Sequence, residues 1–240
     1  MIIHERASPN HDARPESGRI DMLVLHYTGM KTAVEAIDRL CDPAAKVSAH
    51  YVLDEDGTVW RLVEESRRAW HAGTSFWQGT RDVNAASIGI ELVNPGHDWG
   101  YRAFPNAQMA ALETLCRGLL LRHPIPRDRV VGHSDVAPLR KQDPGELFDW
   151  PRLAEAGIGL WPTDSRPPPT DIAGAQAMLA AIGYAVASSG ALDAETRQVL
   201  IAFQRRYRPT LVDGGLDPGT AQRLAAVEHA VSALQARRRS

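Results

Sequence analysis

The stretch GLWPTDSRPPPTD at positions 159–171 divides the chain into two parts that cannot share one pattern of secondary structure. Pro162, Pro167, Pro168 and Pro169 lack backbone donors and favour extended conformations, so neither a helix nor a sheet ladder runs through them. Residues 161–171 are therefore read as a linker between a unit at 1–160 and a unit at 172–235. A chain of 240 residues, at about 150 per domain, has room for one or two such units. Before the linker, strand-like and helix-like segments mix, which predicts an α/β unit with a mixed central sheet flanked by helices. After it no strand-length β-branched run occurs, and the pattern predicts a small all-α domain of three helices.

In the first part, Met22 to Tyr27 (MLVLHY) is a nearly continuous apolar run, the pattern of a strand covered on both faces. The segment from Ser48 predicts a hairpin, with Asp56 and Gly57 turning the chain between Tyr51–Leu53 and Val59–Leu62. Ile88, Ile90 and Leu92 alternate with Gly89, Glu91 and Val93, so Glu91 points away from the large aliphatics of its own strand. Met109, Leu112, Leu115, Cys116, Leu119 and Leu120 fall at helical spacing in 106–122, with Asn106 offered as N-cap and Pro124 beyond the end. Arg129 to His133 (RVVGH) predicts a second short strand ending in histidine.

Composition excludes several classes. With 27 basic and 29 acidic side chains the formal net charge is −2, so the whole-chain pull of a nucleic-acid binder is missing. The basic run Arg237, Arg238, Arg239 is read as a solvated tail. No apolar stretch approaches the ~18 residues a spanning helix needs. The start, MIIHERASPNHDARPES, has no secretory apolar core, which predicts a cytoplasmic protein if Met1 is the true start. Cys41 and Cys116 are too few for a disulfide framework and suit a reducing compartment.

Among nine histidines, His26 and His133 each end a short apolar strand, where a rigid scaffold hands over to loops. Ten residues after His133 comes Asp143, followed by Pro144 and Gly145, which stiffen and turn the backbone. Two imidazoles and a carboxylate suit zinc, and three protein ligands leave one tetrahedral position open for chemistry. Spacing alone does not select this triplet, since nine histidines offer many. Taken singly, Glu91 reads equally as a solvated or paired charge and Lys141 as an exposed turn residue.

The strings LVLHYTGM, SAHYVLDEDGTVW, WHAG followed by SFWQG, N-AASIGIELVN and VVGHSDVAPLRKQDPG, in this order over residues 20–150, resemble the zinc-dependent N-acetylmuramoyl-L-alanine amidases, the group related to phage amidases and peptidoglycan recognition proteins. The resemblance implies one zinc ion per chain, held by His26, His133 and Asp143. It implies Glu91 as catalytic acid and base, Lys141 beside the reacting carbonyl, His71 lining the substrate groove, and His50 in a structural role. The implied reaction is hydrolysis of the amide between N-acetylmuramic acid, or its 1,6-anhydro form, and L-alanine, in peptidoglycan or in soluble anhydro-muropeptides. The alternative is a recognition module of the same fold that binds peptidoglycan without cutting it, usually marked by loss of a zinc ligand.

The second part resembles the small helical peptidoglycan-binding domain, through AQAMLAAIGY around Gln176, Gly190 and Asp193 with Thr196, AFQRRY at 202–207 and VDGGLDPGTAQRL from Val212. Its Asp-containing turns precede helices as caps do. Such a module implies cell-wall material as partner, which sets a periplasmic or envelope location against the cytoplasmic one. Oligomeric state is not legible.

Overall fold

The computed structural model describes residues 2–16, 18–164 and 166–239. Met1 and Ser17 of the first predicted unit, Ser165 of the predicted linker, and Ser240 lie outside the described residues. The strands are β1 (Ile3–Glu5), β2 (His11–Ala13), β3 (Met22–Tyr27), β4 (Tyr51–Leu53), β5 (Val59–Arg61), β6 (Arg67–Ala69), β7 (Ser87–Leu92) and β8 (Val130–Gly132). The helices are α1 (Ala33–Cys41), α2 (Val83–Ala86), α3 (Gly96–Trp99), α4 (Asn106–Arg122), α5 (His133–Val136), α6 (Trp150–Glu155), α7 (Ile172–Ile182), α8 (Ala194–Tyr207) and α9 (Pro218–Arg239).

Six strands form a mixed sheet in the order β1-β5-β4-β7-β3-β8. β3 runs parallel to both β7 and β8, and β4 is parallel to β7 but antiparallel to β5 through the hairpin at Asp56-Gly57. Alternation then sorts the strand side chains onto two faces. Leu23, Leu25, Ile88, Ile90 and Leu92 pack against Met109, Leu112, Leu115, Cys116 and Leu119 of α4, and against Trp150 and Leu153 of α6. The opposite face is covered in two pieces. α1 closes Val52 and Val93 with Ile37 and Leu40, while Met22, Val24 and Val131 join Leu179, Phe203 and Leu224 of the three C-terminal helices in one continuous core. Between those two pieces lies the part of the sheet that carries Gly89, Glu91 and His26.

The C-terminal helices start at aspartates. Asp171, Asp193 and Asp217 accept from the backbone N–H groups of Gly174, Thr196 and Thr220 at 2.8, 2.8 and 2.9 Å, satisfying donors that the first turn leaves open. Buried Gln176 and Gln204 stitch the two connecting turns: each side-chain carbonyl accepts from turn backbone, at Gly190 for the first and at Asp213 and Gly214 for the second.

Three expectations from sequence are corrected. Asn106 does not cap α4: it is the first helical residue, Pro105 holds the cap position, and the Asn106 Oδ1 accepts instead from Arg152. The strand predicted at 129–133 is shorter, because Arg129 closes a 3-10 turn and His133 already begins α5. The terminal arginines are not a free tail, since α9 continues through them and Arg238 makes a two-pronged ion pair with the buried Asp128 at 2.6 and 2.8 Å. Among the described residues, no helix is long and apolar enough to cross a membrane.

Candidate active site

Parallel pairing of β3 with β7 puts His26 directly beside Glu91. β8 lies on the other side of β3, and the chain turns straight from Gly132 into α5, so His133 emerges next to the end of β3. The backbone then loops back, and Ser134 N–H donates to the Asp143 carbonyl at 2.9 Å, which returns Asp143 to the same spot. The candidate groups thus collect at the C-terminal ends of parallel strands, where side chains project beyond the sheet into loops.

The structure brings His26, His133 and Asp143 together, all three buried. His26 Nδ1 lies 2.9 Å from His133 Nδ1, and these two atoms lie 3.1 and 3.0 Å from Asp143 Oδ2. Three donors on one tetrahedral ion with bonds of ~2.0–2.1 Å stand about 3.3 Å apart, close to this triangle.

The protonation pattern follows from the partners behind the ligand atoms. His133 Nε2–H donates to the Ala72 carbonyl at 3.1 Å, which leaves Nδ1 as a lone pair. For His26 the inference runs through a chain. The Ser87 hydroxyl gives its proton to the Val83 carbonyl at 2.6 Å, so it accepts from His71 Nε2 at 3.1 Å. His71 Nδ1 is then an acceptor, and His26 Nε2–H donates to it at 3.1 Å, freeing the His26 Nδ1 lone pair. Burial, reinforced by the neighbouring His133, lowers His26 to about 4, and burial holds His71 well below the ordinary imidazole value. Two imidazoles, each hydrogen-bonded at its other nitrogen, and one carboxylate converge here, a donor set that can hold a divalent metal ion.

Glu91 stands at the wall of the same cavity, and its Oε2 is shielded from solvent without a hydrogen-bond partner. Burial raises its carboxyl well above the ordinary value, Asp143 adds to that, and Lys141 opposes it. The cavity, about 370 Å3, also takes in Lys141, His71, Trp70 and Arg39. His71 is thus placed both at the cavity and behind His26. His50 lies deeper, fully buried, where its Nδ1 accepts from the Gly89 N–H at 3.0 Å.

Sequence reasoning missed two supports. The Ala72 carbonyl carries no signal in a sequence. Asn84 does lie within a quoted motif: its Oδ1 accepts from the His71 and Ala72 N–H groups at 3.1 and 2.8 Å, aiming that segment at both imidazoles.

The sequence profile of the N-acetylmuramoyl-L-alanine amidases matches residues 16–146, and that of a peptidoglycan binding domain matches residues 169–224. The chain is 38% identical over 224 residues to the N-acetylmuramoyl-L-alanine amidase AmiD of Escherichia coli, covering 84% of this chain and 80% of that one. It is 38% identical to the 1,6-anhydro-N-acetylmuramyl-L-alanine amidase AmpD of Salmonella typhimurium over 61% of this chain and 85% of that one. In structure it is similar to Escherichia coli AmiD in complex with anhydro-N-acetylmuramic acid-L-Ala-D-gamma-Glu-L-Lys (TM-score 0.79, 36% identity, 90% and 92% of the two chains). It is also similar to AmpDH3 of Pseudomonas aeruginosa in complex with an anhydromuramic pentapeptide (TM-score 0.81, 35% identity, 90% and 94%). The chain belongs to the N-acetylmuramoyl-L-alanine amidase family.

Proposed function

We propose that this amidase hydrolyses the amide between the D-lactyl carbonyl of N-acetylmuramic acid, or its 1,6-anhydro form, and L-alanine, using one zinc ion held by His26, His133 and Asp143. The observation that carries the reading is the triangle of three buried donors, 2.9 to 3.1 Å apart, beside a carboxylate oxygen that has no other partner. A muropeptide substrate is supported by two similar enzymes solved with anhydro-muramyl peptides.

An amide is a poor electrophile with a poor leaving group, so its hydrolysis needs a strong nucleophile, charge stabilisation and a proton for the departing amine. When bound, zinc supplies Lewis acidity, lowering the pKa of water from ~15.7 towards ~7 and polarising a carbonyl. Glu91 takes the proton of the attacking water on its free oxygen and delivers it to the L-alanine nitrogen as the carbon–nitrogen bond breaks. Its raised proton affinity suits both halves of that transfer. Lys141 places positive charge beside the carbonyl oxygen as that oxygen becomes negative, and the loss of one such donor costs ~2.7–4 kcal/mol of barrier. His71 lines the groove and keeps His26 in its metal-binding tautomer.

In the same proposal, residues 1–160 are the catalytic unit, 161–171 the linker and 172–235 the part that takes up peptidoglycan. The unpaired thiols of Cys41 and Cys116 suit a reducing, cytoplasmic setting. The test pairs two substitutions. Glu91→Gln is expected to keep stoichiometric zinc while turnover falls ~100- to 10,000-fold, the usual worth of a positioned acid and base. His26→Ala is expected to lose metal and turnover together. A Glu91→Gln enzyme with most of its activity would remove Glu91 from the mechanism, and full zinc in His26→Ala would overturn the ligand assignment.

A further inference from the structure

We infer that the helical C-terminal part is a working component of the metal site: consecutive Arg205 and Arg206 on α8 grip the 133–146 segment at two points and thereby position His133 and Asp143. This rests on the ligand set proposed above.

The segment needs such support. It supplies two of the three donors and Lys141, yet its only regular element is the four-residue α5. Three-atom convergence to a few tenths of an ångström requires backbone that something rigid holds.

Arg206 holds the first end. Its Nη1 donates to Asp135 Oδ2 at 2.7 Å and its Nη2 to the Val130 carbonyl at 2.8 Å, so one guanidinium ties α5 to β8 on either side of His133. The Asp135 carboxylate is finished by the Tyr184 hydroxyl at 2.5 Å and the Gly132 N–H at 2.8 Å. Both charges are buried, with side-chain exposures of 2% and 1%, and the guanidinium lies 4.2 Å from the centre of the Trp150 ring. Removing one partner of so enclosed a pair leaves a charge with neither water nor counter-ion, so the segment must move.

Arg205, the preceding residue, points to the other end. Its Nη2 donates to Gln142 Oε1 at 3.3 Å, and its Nε lies 3.7 Å from Glu146 Oε2, so it brackets Asp143 from both directions along the chain. Glu146 in turn meets His97 Nε2 at 3.2 Å, and His97 Nδ1 meets the Tyr27 hydroxyl at 2.9 Å, next to His26. The helical part and the ligand loop are therefore joined by buried and part-buried polar contacts, not only by apolar packing.

The two arginines are positioning residues, and the readout is zinc affinity, measured by competition with a chromophoric chelator on full-length variants whose folding is checked by far-ultraviolet circular dichroism. Arg206→Met is expected to weaken zinc binding about tenfold or more, within the 10- to 100-fold range for groups that orient ligands. Arg206→Lys recovers part of it, because an ammonium reaches Asp135 but does not also span to Val130. Arg205→Met weakens binding by a smaller factor, and Arg205→Lys restores it. Arg238→Ala, which removes the ion pair from the same helical part to Asp128, a residue outside the 133–146 segment, leaves zinc affinity at the wild-type value. If Arg206→Met fails to fold, the Arg205 pair decides alone. Wild-type affinity in folded Arg206→Met and Arg205→Met, or equal weakening by Arg238→Ala, would overturn the inference. Failure of the wild type itself to bind zinc would remove the ligand assignment and the inference with it.

Discussion

Gly89→Ala adds one methyl group and changes no charge, yet it bears directly on the proposed metal site. Gly89 lies on β7 two residues before Glu91, on the same face of the strand. A Cβ built there would sit 2.4 Å from Cγ and 2.6 Å from Cδ2 and Nδ1 of His71. Carbon atoms in contact prefer ~3.5–4.0 Å, so the ring must retreat by about 1 Å. The retreat stretches the 3.1 Å bond to His26 beyond hydrogen-bond range and also disturbs the bond to Ser87. Overpacking costs ~1–3 kcal/mol, and a lost hydrogen bond adds ~1 kcal/mol. For a chain of this size each kcal/mol is worth roughly 2–4 °C, so the metal-free protein is expected to melt roughly 5–15 °C lower by calorimetry. Zinc affinity, read by chelator competition, falls ~10- to 100-fold, because His26 loses the partner that fixes its tautomer. A Gly89→Ala protein with wild-type melting temperature and zinc affinity would refute the idea that His71 is a tightly held wedge behind His26.

Two further predictions concern stability. Gly118, inside α4, is a position where a Cβ meets only Nη1 of Arg122 at 3.2 Å, an atom not used in the bonds that Nε and Nη2 of Arg122 make to Glu65; Gly118→Ala is expected to raise stability by ~0.5–1 kcal/mol in urea titration, and a decrease would show that the bonds to Glu65 keep Nη1 from giving way. Burial pushes the Glu65 carboxyl upward, but hydrogen bonds from Arg122, Tyr51 and His123 outweigh it and bring it to about 2, below the ordinary value of 4.5. A depressed carboxyl stabilises the fold above its unfolded pKa and ceases to do so as pH falls through the folded one. The stability gap between wild type and Glu65→Gln is therefore expected to be full at pH 6 and to shrink steadily between about pH 4.5 and 2; a gap independent of pH would contradict the assignment.

Local pattern carried much of this protein. The apolar run of β3, the alternation in β7 and the Asp-Gly turn between β4 and β5 are each decided by neighbours in sequence, and each is found where period and turn chemistry put it. The aspartate starts of α8 and α9 are equally local. What was not legible depends on partners far away. Asn106 has the right chemistry for a cap, but Arg152, 46 residues on, takes its side chain. Arg238 reads as tail until α9 carries it to Asp128, 110 residues back. β1 and β2, three residues each, have no period to detect and exist because β5 and β6 offer them edges. Within the site, the residue types at 26, 91, 133, 141 and 143 stand in the sequence, but only the fold shows that two imidazole nitrogens face one carboxylate oxygen. The Arg206–Asp135 pair spans 71 residues between the helical part and the sheet, and no spacing rule announces it.

The central claim is cleavage of one particular bond, and mass spectrometry of the products tests it most directly. Zinc-loaded protein would be incubated with anhydro-N-acetylmuramyl-L-Ala-D-γ-Glu-L-Lys and, in parallel, with intact peptidoglycan. The account predicts two products: a stem peptide with a free L-alanine amine, and the muramyl sugar with a free lactyl carboxylate carrying one oxygen from solvent when the reaction is run in 18O-labelled water. Uncleaved substrate in both incubations, or cleavage at any peptide bond within the stem, would contradict it.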